Sequence, residues 1–400
     1  MARQTRTPRA EPEPEAKPVA PAVAVARKLF GAETPEFFLL LGTTLFLLVF
    51  GLVMVLSSSA IESRLSDGDF FARAARQGLF AVIGLPIMLI ASRAPITFWK
   101  RWAGWALVGS IGLQFLVFTG LGYGYGGNQN WIKIGGFSAQ PSETIKLALV
   151  LWLAWVLTTK ADLLRDWKHV LLPIGPVVAV AVGLVLLGND LGTATILIMV
   201  TFGALFYAGV QLRFLLVGLL GIGLVGITVA MASLSRRKRI DAWLSGCTNE
   251  ADYSFDCWQT IHGWEALAHG GVFGVGLGNS AGKWSWIPEA DNDFIFAIIG
   301  EELGLVGAIL VLLMFVLLTI AFVRIARMAR DPFGKIVTAS VMVWVVGQAF
   351  VNIAVVLGVL PVLGVPLPLV SAGGSALLTT MAAIGVVLSF ARVKPGRIVP

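Results

Sequence analysis

Pro288-Glu289-Ala290-Asp291-Asn292-Asp293 sets three carboxylates directly ahead of Phe294-Ile295-Phe296-Ala297-Ile298-Ile299, the start of an apolar run that continues to residue 323. At about 1.5 Å of rise per residue such a run crosses a hydrocarbon core about 30 Å thick, so it reads as a membrane helix with acid at its mouth. A carboxylate costs about 2.5–3.5 kcal/mol at the centre of an inserted helix, and one held at the edge is a functional candidate by default. Asp291 and Asn292 also suit an N-cap, where their oxygens accept the orphan N–H groups of the first turn. Asp293 sits deepest, next to aromatic and branched residues. There a carboxyl group is driest and becomes a tuned base.

Outward from this segment the same pattern repeats. Apolar runs bounded by charges fall at about 35–57, 78–92, 103–120, 143–159, 170–187, 191–210, 214–233, 294–323, 336–358 and 374–391. With 57% hydrophobic and 13% charged residues in 400, the chain reads as an all-α polytopic membrane protein of about ten transmembrane helices. Its large outer loop, residues 235–293, lies between spans seven and eight. Residues 1–34 are rich in Pro, Ala and charge and read as a disordered tail, 35–391 form the membrane domain, and 392–400 are a short second tail. An even number of spans puts both termini on one side. If that side is the cytoplasm, twenty of the 30 Lys and Arg lie inside and nine outside, with Lys146 within a span. The net charge of +7 then reflects anchoring beside anionic lipid and calls for no nucleic acid.

Two outer segments carry most of the remaining chemistry. Residues 123–142 are rich in Gly, Asn and Gln, with Trp131 and Lys133 placed to touch a ligand. The loop after span seven holds five of the thirteen Trp, an expected set of short amphipathic pieces on the membrane surface. Its Cys247 and Cys257 are close in sequence on an oxidising face, which favours a disulfide, since a metal site would need more ligands nearby. Arg236-Arg237-Lys238-Arg239 either grips lipid headgroups or holds a diphosphate; Arg239, against Ile240, is the favoured functional member. The glycines of Gly274-Val275-Gly276-Leu277-Gly278-Asn279-Ser280 lack the strand and helix of a dinucleotide fingerprint. Two readings stay open: backbone N–H groups approaching a phosphate, or a surface turn.

Inside the spans, Glu143 and Lys146 are three residues apart on one helical face, where pairing offsets burial. Asp190, beside Gly188 and Gly192, interrupts the apolar stretch between the fifth and sixth spans and is a candidate partner for another buried charge or a polar cavity. Ser371-Ala372-Gly373-Gly374-Ser375 opens the last span with small residues that permit close packing or a backbone-lined cavity. Gly304, Gly307, Ala308, Ala339, Ser340 and Gly347 of spans eight and nine offer a close-packing face for a membrane partner.

Taken in order, these segments resemble the SEDS family (shape, elongation, division and sporulation) of polytopic peptidoglycan polymerases. The resemblance rests on Asn128-Gln129-Asn130-Trp131-Ile132-Lys133 with Gln140-Pro141-Ser142-Glu143-Thr144-Ile145-Lys146, on Asp190-Leu191-Gly192-Thr193, and on Gly276-Leu277-Gly278-Asn279-Ser280 with Lys283. It continues through Pro288-Glu289-Ala290, Asp293-Phe294-Ile295-Phe296-Ala297 and Glu301-Glu302-Leu303-Gly304 to Pro368-Leu369-Val370-Ser371-Ala372-Gly373-Gly374-Ser375. The glycine pattern and the Pro-Glu-Ala start are similar to the division branch more than the elongation branch. Asn189 stands where Pro is common, Ala376 where Ser is common, and Asp291-Asn292 where His-Thr is common; the last places a second carboxylate beside the base.

The resemblance implies polymerisation of lipid II on the outer face of the cytoplasmic membrane at the division septum, with undecaprenyl diphosphate released. A lipid II flippase and a non-catalytic division scaffold are the alternatives. It implies Asp293 as the base, and Arg239, Lys283 and Lys146 as charge for the diphosphate. The expected substrate site adds Trp131, Lys133, Asp190, Glu289, Gly276, Gly278, Ser280, Ser371, Gly373, Gly374 and Ser375, supported by Glu143 and Glu302. No cofactor is certain; a divalent cation, Mg2+ or Mn2+, is an expectation with no assigned ligands. The implied partners are a class B penicillin-binding protein transpeptidase and other membrane proteins of the division machinery.

Overall fold

The computed structural model describes residues 33–125, 128–134, 137–232, 234–247, 257–284 and 286–392. The expectations for residues 1–32 and 393–400 lie outside the described residues. Helices α1 (Pro35–Asp67), α2 (Ala72–Ala91) and α3 (Ile96–Leu116) are followed by strands β1 (Gly122–Tyr125), β2 (Asn128–Ile134) and β3 (Phe137–Ala139). Next come α4 (Pro141–Thr159), α5 (Trp167–Leu187), α6 (Leu191–Tyr207) and α7 (Leu212–Ala232), then the outer-loop helices α8 (Leu234–Ser245) and α9 (Trp258–Gly270). Helices α10 (Ile295–Met328), α11 (Pro332–Val356) and α12 (Gly374–Phe390) complete the fold. All ten expected apolar runs are helical. Among the described residues α1, α2, α4, α5, α10 and α11 are long and apolar enough to cross a membrane, while α6, α12 and the first part of α7 are shorter apolar helices.

Local chemistry sets the boundaries. Thr34 caps α1 by accepting from the Phe37 N–H at 3.2 Å, Pro35 fills the first turn where no N–H is needed, and Gly68, in the left-handed region, closes the helix. Asp190 caps α6 and Asp331 caps α11 in the same way. Two features depart from the all-helical expectation. Residues 122–125, 128–134 and 137–139 form an antiparallel sheet in the order β1-β2-β3, with Tyr123 opposite Trp131 and Lys133 opposite Ser138. In addition, α10 breaks at Gly304, whose φ of +67° and ψ of −165° are not helical. The break sets the short segment 295–303 apart from the longer shaft, and the outer loop uses it as a docking point.

The hydrophobic core runs through α4, α6, α10, α11 and α12, from Trp344 and Phe315 to Met381, with Glu143, Lys146, Gln348 and Asn352 buried among these helices. Helices pack closely where a side chain would not fit. A methyl group on Gly51 of α1 would lie 2.5 Å from the Leu369 carbonyl oxygen. The small residues expected to greet a partner are used inside the chain. Ala339 and Ser340 are buried, and a Cβ on Gly347 would meet Met199 of α6 at 2.8 Å. Small residues at a helix face serve a neighbouring helix of the same chain as readily as a foreign one. Exposed on α10 instead are Leu305, Val306, Ile309, Leu313, Val316 and Ile320.

The two ends of the helical body meet. Thr34 Oγ1 donates to the Ala391 carbonyl at 2.7 Å, and Arg392 pairs with Glu33. The start of α1 and the end of α12 therefore share one end of the bundle, and the acidic segment 288–293 lies at the other.

Candidate active site

At that other end a cavity of about 530 Å³ opens between β2, the turn before α6, α8, the acidic segment, and the chain joining α11 to α12. Asn128, Asn130, Trp131, Gln140, Glu143, Asp190, Arg239, Gln259, Glu289, Asn292, Asp293, Gly373 and Ser375 all line it. Asp293 is held there by its backbone. Glu289, at φ +55°, turns the chain, and its carbonyl accepts from Asn292 N at 3.0 Å and Phe294 N at 3.2 Å. The carbonyls of Asp291, Asn292 and Asp293 are then gripped one by one. Ala372 N donates to Asp291 O at 2.8 Å, Ser371 Oγ to Asn292 O at 2.7 Å, and Asn352 Nδ2 to Asp293 O at 2.7 Å. Asn352 also donates to the Val365 carbonyl at 2.7 Å, so one buried amide couples the acidic segment to the opposite wall.

With its main chain fixed, the Asp293 side chain faces the cavity and its Oδ1 is buried without a hydrogen-bond partner among the described residues. Burial is the largest cause that pushes the Asp293 carboxyl up, to about 7, followed by the negative charges of Glu289 and Asp190; Arg239 opposes them. A carboxyl poised there exchanges a proton near neutral pH. Asp190, also pushed up by burial, spends its oxygens on Thr193 N at 2.8 Å and Gln140 Nε2 at 2.9 Å. Asp291, in contrast, is buried in a 3.1 Å ion pair with Arg73, which also holds Glu62. The two neighbouring aspartates are thereby separated: Asp293 faces the cavity and Asp291 braces the wall.

Apart from Lys133, the sequence-expected site residues divide into three groups. Trp131, Glu143, Asp190, Arg239, Glu289, Asp293, Gly373 and Ser375 come together at the cavity. Lys146, Ser371 and Gly374 lie behind its wall. Lys146 is buried, 2.6 Å from Glu143 Oε1, 3.2 Å from Gln348 Oε1 and 5.0 Å from the Trp344 ring centroid, so it steadies Glu143 and does not reach the cavity. Ser371 grips Asn292 as described, and Gly374 makes room for the Phe80 ring.

Gly276, Gly278, Ser280, Lys283 and Glu302 form the third group, which corrects the expectation of a single site. They dock the outer loop onto the break in α10, with Gly276 N donating to Glu302 O at 3.0 Å. Glu302 accepts from Ser57 at 2.7 Å and pairs with Lys283 at 3.3 Å, while Ser280 donates to Glu301. At Gly274 the loop and α10 approach too closely for a side chain, since a Cβ there would fall against the Glu302 carbonyl; Gly276 and Gly278 instead meet the left-handed φ of +95° and +83° that the turn requires. Lys133 is exposed on β2 outside the cavity.

Sequence reasoning missed Arg73, Gln348, Asn352 and Gln77, which donates to the Ser371 carbonyl and accepts from Gly373 N, both at 3.1 Å. The signal for Gln348 and Asn352 was a polar residue within an apolar run, which marks burial without naming a partner, whereas Arg73 and Gln77 precede the second run and gave none. Cys247 and Cys257 are disulfide-bonded and join the end of α8, which carries Arg239, to the start of α9, which carries Gln259. Among the described residues no three of His, Cys, Asp and Glu form a group suited to holding a metal ion.

The family model described as "Cell cycle protein" (FtsW, RodA and SpoVE) matches residues 38–395. The chain is 36% identical over 381 residues to the "Probable peptidoglycan glycosyltransferase FtsW" of Mycobacterium tuberculosis, covering 94% of this chain and 72% of that protein. It is 36% identical over 365 residues to the "Stage V sporulation protein E" of Bacillus subtilis, covering 90% and 98%. Among solved structures it is similar to one described as "Structural coordination of polymerization and crosslinking by a peptidoglycan synthase complex", at TM-score 0.72, 25% identity and coverage of 88% and 96%. It is also similar to the Thermus thermophilus rod shape determining protein RodA, at TM-score 0.66, 25% identity and the same coverage. A family model matched over residues 38–395 and relatives 36% identical along nearly the whole chain place this multi-helix protein in the FtsW, RodA and SpoVE family of cell cycle proteins.

Proposed function

We propose that the chain is a peptidoglycan glycosyltransferase that polymerises lipid II at the division septum, with both termini in the cytoplasm and the cavity on the outer face of the membrane. The observation that carries this is the Asp293 carboxyl, poised near neutrality in a cavity whose wall also bears Arg239. A sugar hydroxyl is too weak an acid to ionise beforehand, so its proton leaves as the new bond forms. The C4 hydroxyl oxygen of an incoming lipid II attacks the anomeric carbon of the strand held on undecaprenyl diphosphate. The C1–O bond to the diphosphate breaks with its electron pair passing to that oxygen, and the hydroxyl proton passes to Asp293. Attack opposite the α-linked leaving group gives a β-1,4 bond.

Arg239 offers a guanidinium to the departing diphosphate, whose charge is greatest in the transition state. Trp131, Asn130 and Gln140 give the stacking and amide contacts that sugars and acetamido groups take. A class B penicillin-binding protein is the expected partner, packing its single span on the exposed stripe of α10. The test is polymerisation of purified lipid II by the purified chain, alone and with its transpeptidase. Asp293→Asn keeps size and removes the base, so it should lose at least about 100-fold in rate, the usual worth of a general base. Transport of lipid II without polymerisation, or full activity in Asp293→Asn, would overturn the proposal.

A further inference from the structure

We infer that Trp258 and Trp286 form a carbohydrate platform at the cavity mouth, which receives the glycan strand as it leaves; this rests on the reaction proposed above. The two indole rings lie 5.9 Å apart at an interplanar angle of 12°, and Trp286 is 52% exposed. Both are tied to the cavity rim through neighbours. Gln259, next to Trp258, lines the cavity and donates to the Pro288 carbonyl at 2.8 Å; Pro288, two residues after Trp286, lines it too.

The pair is also built as a rigid unit. Trp258 Nε1 donates to the Trp286 carbonyl at 2.8 Å, and His262 packs edge-on against both rings, 4.1 and 5.3 Å between centroids. An aromatic that merely anchors a protein at the bilayer surface keeps its indole N–H for headgroups and water. Here the Trp258 N–H is spent inward, which fixes a ring surface and leaves the headgroups nothing to bond at that atom. One turn beyond His262, on the same stripe of α9, Glu265 holds an exposed carboxylate 2.6 Å from His262 Nδ1. An apolar ring face edged by amide and carboxylate oxygens suits the alternating C–H and O–H surfaces of a pyranose chain. It does not suit an acyl chain.

The probe is a lipid-free β-1,4-linked N-acetylglucosamine tetramer, titrated against the full chain in nanodiscs and followed by saturation-transfer NMR. The wild type should bind it, Trp286→Ala should weaken binding about tenfold, the loss typical of truncating one aromatic anchor, and Trp286→Phe should keep most of it. In lipid II polymerisation the Ala variant should shorten strands more than it slows lipid II consumption. No binding by the wild type, or equal binding by all three chains, would overturn the platform and leave the pair a bilayer anchor. Tetramer binding that depends on Trp286 in a chain unable to polymerise lipid II would instead sink the proposed reaction while keeping a glycan site.

Discussion

The acidity of Asp293 gives the most direct test of the site. With a pKa of about 7, its carboxylate fraction is about nine tenths at pH 8, one half at pH 7 and one tenth at pH 6. The base acts only when ionised, so kcat/KM for lipid II should fall about tenfold from pH 8 to pH 6, with the midpoint near 7. An aspartate at its ordinary 3.8 would stay fully ionised over this range and give a flat profile. Neighbouring charges set the direction of further shifts. Glu289 disfavours the carboxylate, so Glu289→Gln should move the midpoint to lower pH; Arg239 favours it, so Arg239→Gln should move it higher. The assay is initial-rate polymerisation of lipid II in a constant-ionic-strength buffer series, repeated for each variant. A flat profile between pH 6 and 8, or midpoints that move together in the two variants, would refute the argument that burial and Glu289 hold this carboxyl high.

Three other outcomes follow from packing and bonding. Asn352→Leu keeps the branched side-chain shape but leaves the carbonyls of Asp293 and Val365 without donors, about 1–3 kcal/mol each when buried; the rate should fall while expression persists, as kinetics and gel filtration would show. Gly304→Ala would put a methyl group against the backbone of Gly274 and Val272 at a φ of +67°, so thermal unfolding should shift down by several degrees. The Cys247–Cys257 bridge should appear as a linked peptide in unreduced digests, and its reduction should cost about 2–3 kcal/mol of local stability, with protease cutting between α8 and α9 as the readout.

Much of this molecule was legible without coordinates because apolar run length is a one-dimensional property. A bilayer leaves backbone groups no partner but their own helix, so ten apolar runs had to become ten helices. The mouth of the eighth run likewise announced Asp293, since charge beside an inserting helix is costly wherever it occurs. What the chain order could not reveal was which polar groups share a cavity. Asp291 and Asp293 are two residues apart, yet Arg73, more than two hundred residues away, takes one into an ion pair and leaves the other facing the cavity. Lys146 and Lys283 both looked like diphosphate ligands, but Glu143 and Glu302 hold them behind the cavity wall and at the α10 break. The glycine run could not announce its partner either, because only the kink at Gly304 brings that backbone against α10. Helix formation is decided within a segment, whereas the pairing of a buried charge is decided by whichever segment folding brings within about 3 Å of it.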